Sequence, residues 1–241
     1  MRFYEERFAR EYDRRLSLEQ YPGDLLHEVL HELRGIASLI DCGAGSGFFT
    51  IPLAERGMEV QSIEPSPAMT AILREKIEQH KIELPVRIYE NTWEQWKGEK
   101  TQAVICIHAI YGMDDYEGAV EKMLCSADKR IIVIGDNNRP SVTMTEQLRK
   151  LIPSGKTSSR RNINVGDILK RLNREFQVRN FEQTRISHFK DIKNEAEYYC
   201  YVLNLDESYC DRVIDILREK SSVNTKGYFI PLHYYDQIYI F

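Results

Sequence analysis

The residues most able to do chemistry are the run Leu39-Ile40-Asp41-Cys42-Gly43-Ala44-Gly45-Ser46-Gly47 and the acid Glu64. A glycine-rich turn between a strand and a helix lies outside the carboxyl end of the strand, where open parallel sheets bind ligands. Its glycines allow backbone angles, and a closeness of ligand to main chain, that a Cβ forbids. A dinucleotide asks for G-x-G-x-x-G. Gly43 and Gly45 fit that pattern, but its third glycine position holds Phe48, and Gly47 comes one residue early. Asp41 sits two residues before the first glycine, where its carboxylate opposes a pyrophosphate and offsets the anion preference of a helix N-terminus. The expected ligand is therefore cationic or zwitterionic beside this loop. Glu64 closes the next strand, a place from which an acid accepts hydrogen bonds from ribose hydroxyls. One carboxylate for an amino group and another for a ribose suit methionine joined to adenosine.

Other residues compete for chemical roles. His108 ends a buried strand beside the loop, and histidine is the side chain that exchanges protons near neutral pH. The plainer role for it is a contact to the ligand, and Tyr111 is a weaker candidate still. His27-Glu28-Val29-Leu30-His31 matches the zinc-protease H-E-x-x-H. The extended form fails, since Arg34 and Ala37 stand where glycine and the third histidine belong. Asp136-Asn137 follows the fifth strand, but no second carboxylate follows the fourth, so Asp136-Asn137-Asn138 reads as a loop turn and no metal is expected. Gly155-Lys156-Thr157 lacks the first glycine and the strand of a P-loop. Arg149, Lys150, Lys156, Arg160, Arg161, Lys170, Arg171 and Arg174 read as solvated helix faces, with a phosphate-bearing or RNA acceptor as the alternative.

These residues need a frame. Apolar runs at 36–40, 58–63, 86–89, 103–107 and 131–134 read as strands, separated by helices at 48–56, 67–80 and 114–126, the last with Asp114 as N-cap. Near-continuous apolar strands between helices imply a parallel sheet covered on both faces. Before them, Tyr4, Phe8 and Tyr12 are spaced for one helical face, and Leu26, Val29, Leu30 and Leu33 stripe a second helix. After Gly135 the pattern predicts two helices in 141–176 around a polar loop at 153–164. A strand at 177–187, helix over 191–220 and a final strand at 226–241 complete the chain.

With that frame, Asp41-x-Gly-x-Gly-x-Gly followed by Glu64-Pro65-Ser66 resembles the first two motifs of class I S-adenosylmethionine-dependent methyltransferases, most of all the type 11 or UbiE-like small-molecule group. The likeness covers about residues 36–140. It implies a three-layer Rossmann-like α/β fold: seven strands, mostly parallel, the last antiparallel, with helical insertions capping the carboxyl edge. It implies S-adenosyl-L-methionine as cofactor. Asp41, Gly43, Ala44, Gly45 and Gly47 would border its methionine part, Glu64 its ribose, Pro65 and Met69 the adenine face, and Asn91, Thr92 and Trp93 the adenine edge. His108 would face the sulfonium. An N-terminal aromatic would close over the cofactor, Tyr4, Tyr12 and Tyr21 being the candidates. Neither N/D-P-P-Y after strand four nor a Pro-Cys nucleophile is present, so the implied acceptor is a small molecule. Its pocket would draw on 1–21, 141–165 and 191–235, where Tyr198, Tyr199, Tyr201, Tyr228, Tyr234 and Tyr235 gather. The alternatives are a protein or RNA methyltransferase, and a protein that binds the cofactor without turnover.

Composition agrees with one globular unit over 1–241: N-terminal helices at 1–34, a cofactor core at 35–140, a capping half at 141–225 and the last strand. The chain has 42% hydrophobic and 29% charged residues and a net charge of −4, unlike the basic balance of a dedicated nucleic-acid binder. Five cysteines without C-x-x-C spacing read as reduced thiols of a cytoplasmic protein. The start, MRFYEERFAREYDRR, has no apolar core of a signal peptide, and no apolar run has the length of a membrane span.

Overall fold

The computed structural model describes residues 2–83, 85–149 and 163–241. Two helices, α1 (Glu6–Leu18) and α2 (Asp24–Glu32), lead into alternating strand and helix: β1 (Ser38–Cys42), α3 (Thr50–Ala54), β2 (Glu59–Ile63), α4 (Pro67–Gln79), β3 (Val86–Tyr89), β4 (Thr101–Ile107), α5 (Tyr116–Ser126) and β5 (Ala127–Gly135). The second half runs α6 (Met144–Arg149), α7 (Val165–Arg171), β6 (Gln177–Phe189), α8 (Ile192–Leu203), α9 (Cys210–Lys220), β7 (Ser222–Asn224) and β8 (Gly227–Ile240). The sheet order is β3-β2-β1-β4-β5-β8-β6, with β7 on β8. The first five strands are parallel, and β8 inserts antiparallel to both β5 and β6.

Strand alternation divides the core in two. Leu39, Val60, Ile105, Ile131, Val133 and Ile238 face α2 and α3 through Leu25, Val29, Leu33 and Leu53. Ile40, Cys42, Val104, Cys106, Ile132 and Tyr239 face α5 and α7 through Val120, Met123, Ile168 and Leu169. Both faces are thus dry, as the apolar strands require. A separate apolar cluster joins α6, α8 and α9 to the distal part of β6 and β8 through Leu148, Ala196, Val213, Leu217, Ile230 and Leu232.

Several expectations shift. The first strand reaches Cys42, so Asp41 lies inside it. The third helix is shorter than 48–56. Asp115, not Asp114, caps α5, its side chain accepting from Gly118 N, because the helix begins one residue later. The helical stretch at 191–220 breaks at Asn204, which adopts the left-handed conformation after α8. An eighth strand, β7, turns back on β8 through Gly227 at φ +113°. Tyr4 lies in a 3-10 turn, half exposed, and Phe3 takes its place against Phe8 and Tyr12. The polar loop at 153–164 falls almost wholly outside the described residues, as do Lys150, Gly155-Lys156-Thr157, Arg160 and Arg161. None of the five cysteines is in a disulfide, although Cys200 and Cys210 bring their sulfurs to 2.9 Å, and Cys125 is exposed.

Candidate functional site

The glycine-rich loop leaves β1 at the carboxyl end of the parallel strands. Gly43 and Ala44 donate their N–H groups to Ile63 O at 2.8 and 3.1 Å, which ties the loop to the end of β2. Gly43 has φ +78°, and a Cβ there would stand 2.2 Å from Ala109 Cβ. Gly47 has φ +87° and lies against Leu73. Gly45, also left-handed at φ +55°, has open space where a Cβ would be. The two outer glycines are needed for packing. The middle one leaves room for a ligand to approach the main chain.

Asp41 is 3% exposed and accepts a hydrogen bond from Thr50 Oγ1 at 2.7 Å, and Thr50 Oγ1 in turn lies 2.9 Å from Ser62 Oγ. Burial pushes its carboxyl up to about 6, with Glu64 adding to the rise and the Thr50 hydrogen bond opposing it. A buried carboxylate with no cation beside it is costly, and a ligand's ammonium group is what would relieve it. Glu64 accepts from Gly45 N at 3.0 Å and Ser66 N at 2.9 Å, one bond to each oxygen. Each oxygen has a second lone pair for a hydroxyl donor. Burial raises this carboxyl too, opposed by the two backbone bonds. Open space at Gly45, an acid lacking its cation and an acid with spare acceptor capacity fit an adenosyl amino acid.

The remaining predicted contacts divide. Pro65, Asn91 and Thr92 are partly exposed at the ends of β2 and β3. Trp93 is drawn into the core: its ring stacks on Trp96 at 5.3 Å and its indole N–H donates to Ala119 O at 3.0 Å. Met69 is buried with Ile72 against Ala9 of α1, whose neighbours Phe3 and Tyr12 complete the cluster. Tyr21 lies across the start of the loop helix, its ring 5.2 Å from Phe48 and 6.0 Å from Phe49, while Tyr12 remains with Phe3 and Phe8. Burial drives the Tyr21 hydroxyl far above its ordinary range, and the charges of Asp236 and Asp41 both reach it.

His108 follows β4 with φ +54°. Among the described residues, the other non-glycine residues with positive φ follow helices; His108 alone follows a strand. Its N–H donates to Val133 O at 2.9 Å, and its Nε2 stands 3.6 Å from Asp236 Oδ2 on β8. Tyr111 accepts from Gly135 N at 2.6 Å, so its hydroxyl braces the end of β5.

Asp236 escaped sequence reasoning, as did Arg185 and Glu19. Asp236 is 3% exposed, and its Oδ2 accepts no hydrogen bond. It pairs across the sheet with Phe181 and Gly135, on the face that also carries Ile238, Val133 and Ile105. Leu39 lies on that face as well, so Asp41, two residues along β1, shares it. Tyr234, two residues before Asp236, extends the same face towards β6. There the Arg185 guanidinium lies 3.7 Å from the Tyr234 ring and 4.9 Å from the Tyr21 ring. An acid inside a β-branched and aromatic run, and an arginine inside an alternating strand, were the available signals.

Residues 39–126 match the family model described as a methyltransferase domain. That stretch, little more than a third of the chain, is similar to methyltransferase domains. No curated protein matches the sequence. YcgJ of Bacillus subtilis shares the fold with a TM-score of 0.59 at 13% identity, over 89% of this chain and 96% of that one. An S-adenosylmethionine-dependent methyltransferase of Thermotoga maritima gives 0.56 at 19% identity, over 99% and 98%. Coclaurine N-methyltransferase bound to N-methylheliamine and S-adenosylhomocysteine gives 0.55 at 10%, over 90% and 71%. At these identities the likeness is one of fold. The class takes S-adenosylmethionine as its cofactor.

The rival motifs find structural uses within this methyltransferase fold. Asp136 Oδ1 accepts from Asn138 N, the expected loop turn, and Asn137 donates to Ile163 O. His27 and His31 project from exposed positions on α2. Among the described residues no group of three or more His, Cys, Asp or Glu is placed to hold a metal ion. Arg149, Lys170 and Arg171 pair with Glu146, Asp167 and Glu117, so that basic stretch is largely neutralised where it is described. No described helix is long and apolar enough to cross a membrane.

Proposed function

We propose that the protein transfers a methyl group from S-adenosylmethionine to a small-molecule acceptor, and that residues 1–241 work as one unit. The observation that carries the reading is the shared sheet face of Asp41 and Asp236 beneath Tyr21. In this reading Asp41 takes the cofactor's ammonium group, and the Gly43–Gly47 loop borders its methionine part. Glu64 takes the ribose hydroxyls, Pro65, Asn91 and Thr92 meet the adenine, and Tyr21 covers the sulfur end. When bound, the cofactor supplies a methyl group on a positively charged sulfur, to which the C–S electron pair returns as the methyl passes to the acceptor atom.

His108 and Asp236 then act as a proton-handling pair. With Nε2–H of His108 turned towards the Asp236 carboxylate at 3.6 Å, the other ring nitrogen, Nδ1, receives the acceptor's proton and the carboxylate stabilises the imidazolium that results. The left-handed turn at His108 holds the ring at the carboxyl end of β4, the end of the sheet where open sheets bind ligands, with Nε2 towards Asp236. The burial of Arg185, Tyr234 and Asp236 under the N-terminal segment favours a small acceptor over a protein or RNA, which would need that face open.

Calorimetry with S-adenosylhomocysteine tests the cofactor reading directly. The native protein binds and an Asp41→Asn variant binds more weakly. Absence of heat with the native protein would end the proposal. Binding without release of S-adenosylhomocysteine from S-adenosylmethionine across a broad acceptor panel would instead support a cofactor-binding accessory protein.

A further inference from the structure

The methyltransferase reading leaves one buried cation without a task. Arg185 is 7% exposed, and its Nε and Nη1 have no hydrogen-bond acceptor. Its nearest carboxylate, Glu19, stands 3.8 Å from Nη1, beyond hydrogen-bonding distance. Glu19 already accepts from Tyr234 Oη at 3.2 Å, and burial holds its carboxyl above the usual range against the pull of Arg185. The groups around the guanidinium are therefore Glu19, the hydroxyls of Tyr12, Tyr21 and Tyr234, and, further along the sheet, Asp236. A guanidinium buried with donors unmet is costly, and such sites are completed by an acceptor with paired oxygens.

Geometry narrows the choice. Aromatic rings engage a guanidinium through its faces. With the Tyr234 and Tyr21 rings at 3.7 and 4.9 Å from Cζ, the N–H bonds in its plane are what remain to be used. In-plane, two-pronged recognition is that of a carboxylate. A doubly charged phosphate would meet stronger repulsion from Glu19 and Asp236. The guanidinium lies over Tyr234, two residues from Asp236, so roughly 7 Å of strand separates it from the proton-handling pair. We infer that the methyl acceptor is a small carboxylic acid whose carboxylate docks on Arg185 while its nucleophilic nitrogen or oxygen, several bonds away, faces His108 and Asp236. This rests on the proposed methyl transfer at the same site.

The test uses the full chain saturated with S-adenosylhomocysteine. The probes are β-alanine, γ-aminobutyrate, p-aminobenzoate and p-hydroxybenzoate, each beside its carboxamide and its phosphonate, read by thermal shift and calorimetry. At least one acid is expected to bind, with its amide weaker by about 30-fold or more, the usual loss when one partner of a buried charge pair is removed. Arg185→Met is expected to abolish the acid response while still binding S-adenosylhomocysteine, and Arg185→Lys to restore part of it. Acid and amide binding alike, the phosphonate binding better, no acid binding at all, or Arg185→Met keeping the preference would each overturn the inference. The comparison of acid with amide on the native protein stands even where the variants fail to fold. Failure of S-adenosylhomocysteine itself to bind would strike the cofactor reading instead, so the two failures are distinguishable.

Discussion

Asp41→Asn keeps the shape of the side chain and an acceptor oxygen for Thr50 Oγ1, and removes one charge. Burial moves the carboxyl from its ordinary 3.8 to about 6, which at about 1.4 kcal/mol per tenfold change in ionisation is a penalty of about 3 kcal/mol on the charged form in the unliganded fold. The folded protein holds this proton more tightly than the unfolded chain. Its contribution to stability is therefore complete below pH 3.8 and lost as pH rises through about 6. Asparagine never ionises, so above that range the variant is expected to be more stable than the native protein, by up to the same about 3 kcal/mol. At about 2–4 °C per kcal/mol for a domain of this size, the gain is several degrees in melting temperature. Near pH 4 the two proteins should melt together. Affinity moves the other way, since the ammonium loses its charged partner: S-adenosylhomocysteine should bind the variant more weakly by about 1.5–3 kcal/mol. Melting curves from pH 4 to pH 8 and calorimetry at pH 8 read both effects. A variant that melts lower at pH 8, or one that binds as tightly as the native protein, refutes the assignment.

Thr50→Val removes the hydroxyl that holds Asp41 and leaves a buried oxygen unmet, which should lower stability by about 1–3 kcal/mol at pH 8, read as a fall in urea midpoint that shrinks towards pH 4; a constant fall would place the loss elsewhere. His108→Asn suits the left-handed backbone, so it should fold and bind S-adenosylhomocysteine normally while turnover falls by about 10²–10⁴-fold. Equal losses in affinity and turnover would reduce His108 to a contact. Gly43→Ala places a Cβ against Ala109 Cβ at a left-handed position, at a cost of about 1–3 kcal/mol for the backbone alone. Adding Ala109→Gly should recover the clash and not the backbone cost, and denaturant melts showing full recovery would contradict the left-handed assignment.

The sheet and the glycine-rich loop with its two acids were legible because their signals are local. Five apolar strands separated by helices leave few topologies, and right-handed crossovers leave fewer. Asp41, the glycines and Glu64 fall within one strand-turn-helix-strand stretch, so spacing alone assembles them. Met69 and Trp93 show where spacing stops. Each stands beside a strand-end turn in sequence, but a one-residue rotation of helix or loop decides which neighbours a side chain packs against. Met69 meets Ala9 of α1, and Trp93 meets Trp96 and the carbonyl of Ala119. The sequence holds no cue to which helix will cover a given turn.

The buried cluster around Arg185 fails to announce itself for a different reason. Glu19, Tyr21, His108, Arg185, Tyr234 and Asp236 come from four separate parts of the chain, and the antiparallel register of β6 on β8 brings the last three together. A register slip of one residue would turn Arg185 or Asp236 to the opposite face and disperse the cluster. In the strand that holds it, a lone acid or arginine looks like a solvent-facing residue of an alternating pattern. Only the insertion of β8 between β5 and β6, with the N-terminal segment laid across it, buries both charges on the face that already carries Asp41. That burial is what gives the two groups meaning. A surface arginine is ordinary, whereas one enclosed by two tyrosine rings, with Nε and Nη1 lacking acceptors and Glu19 only 3.8 Å away, carries a cost that a bound carboxylate would relieve.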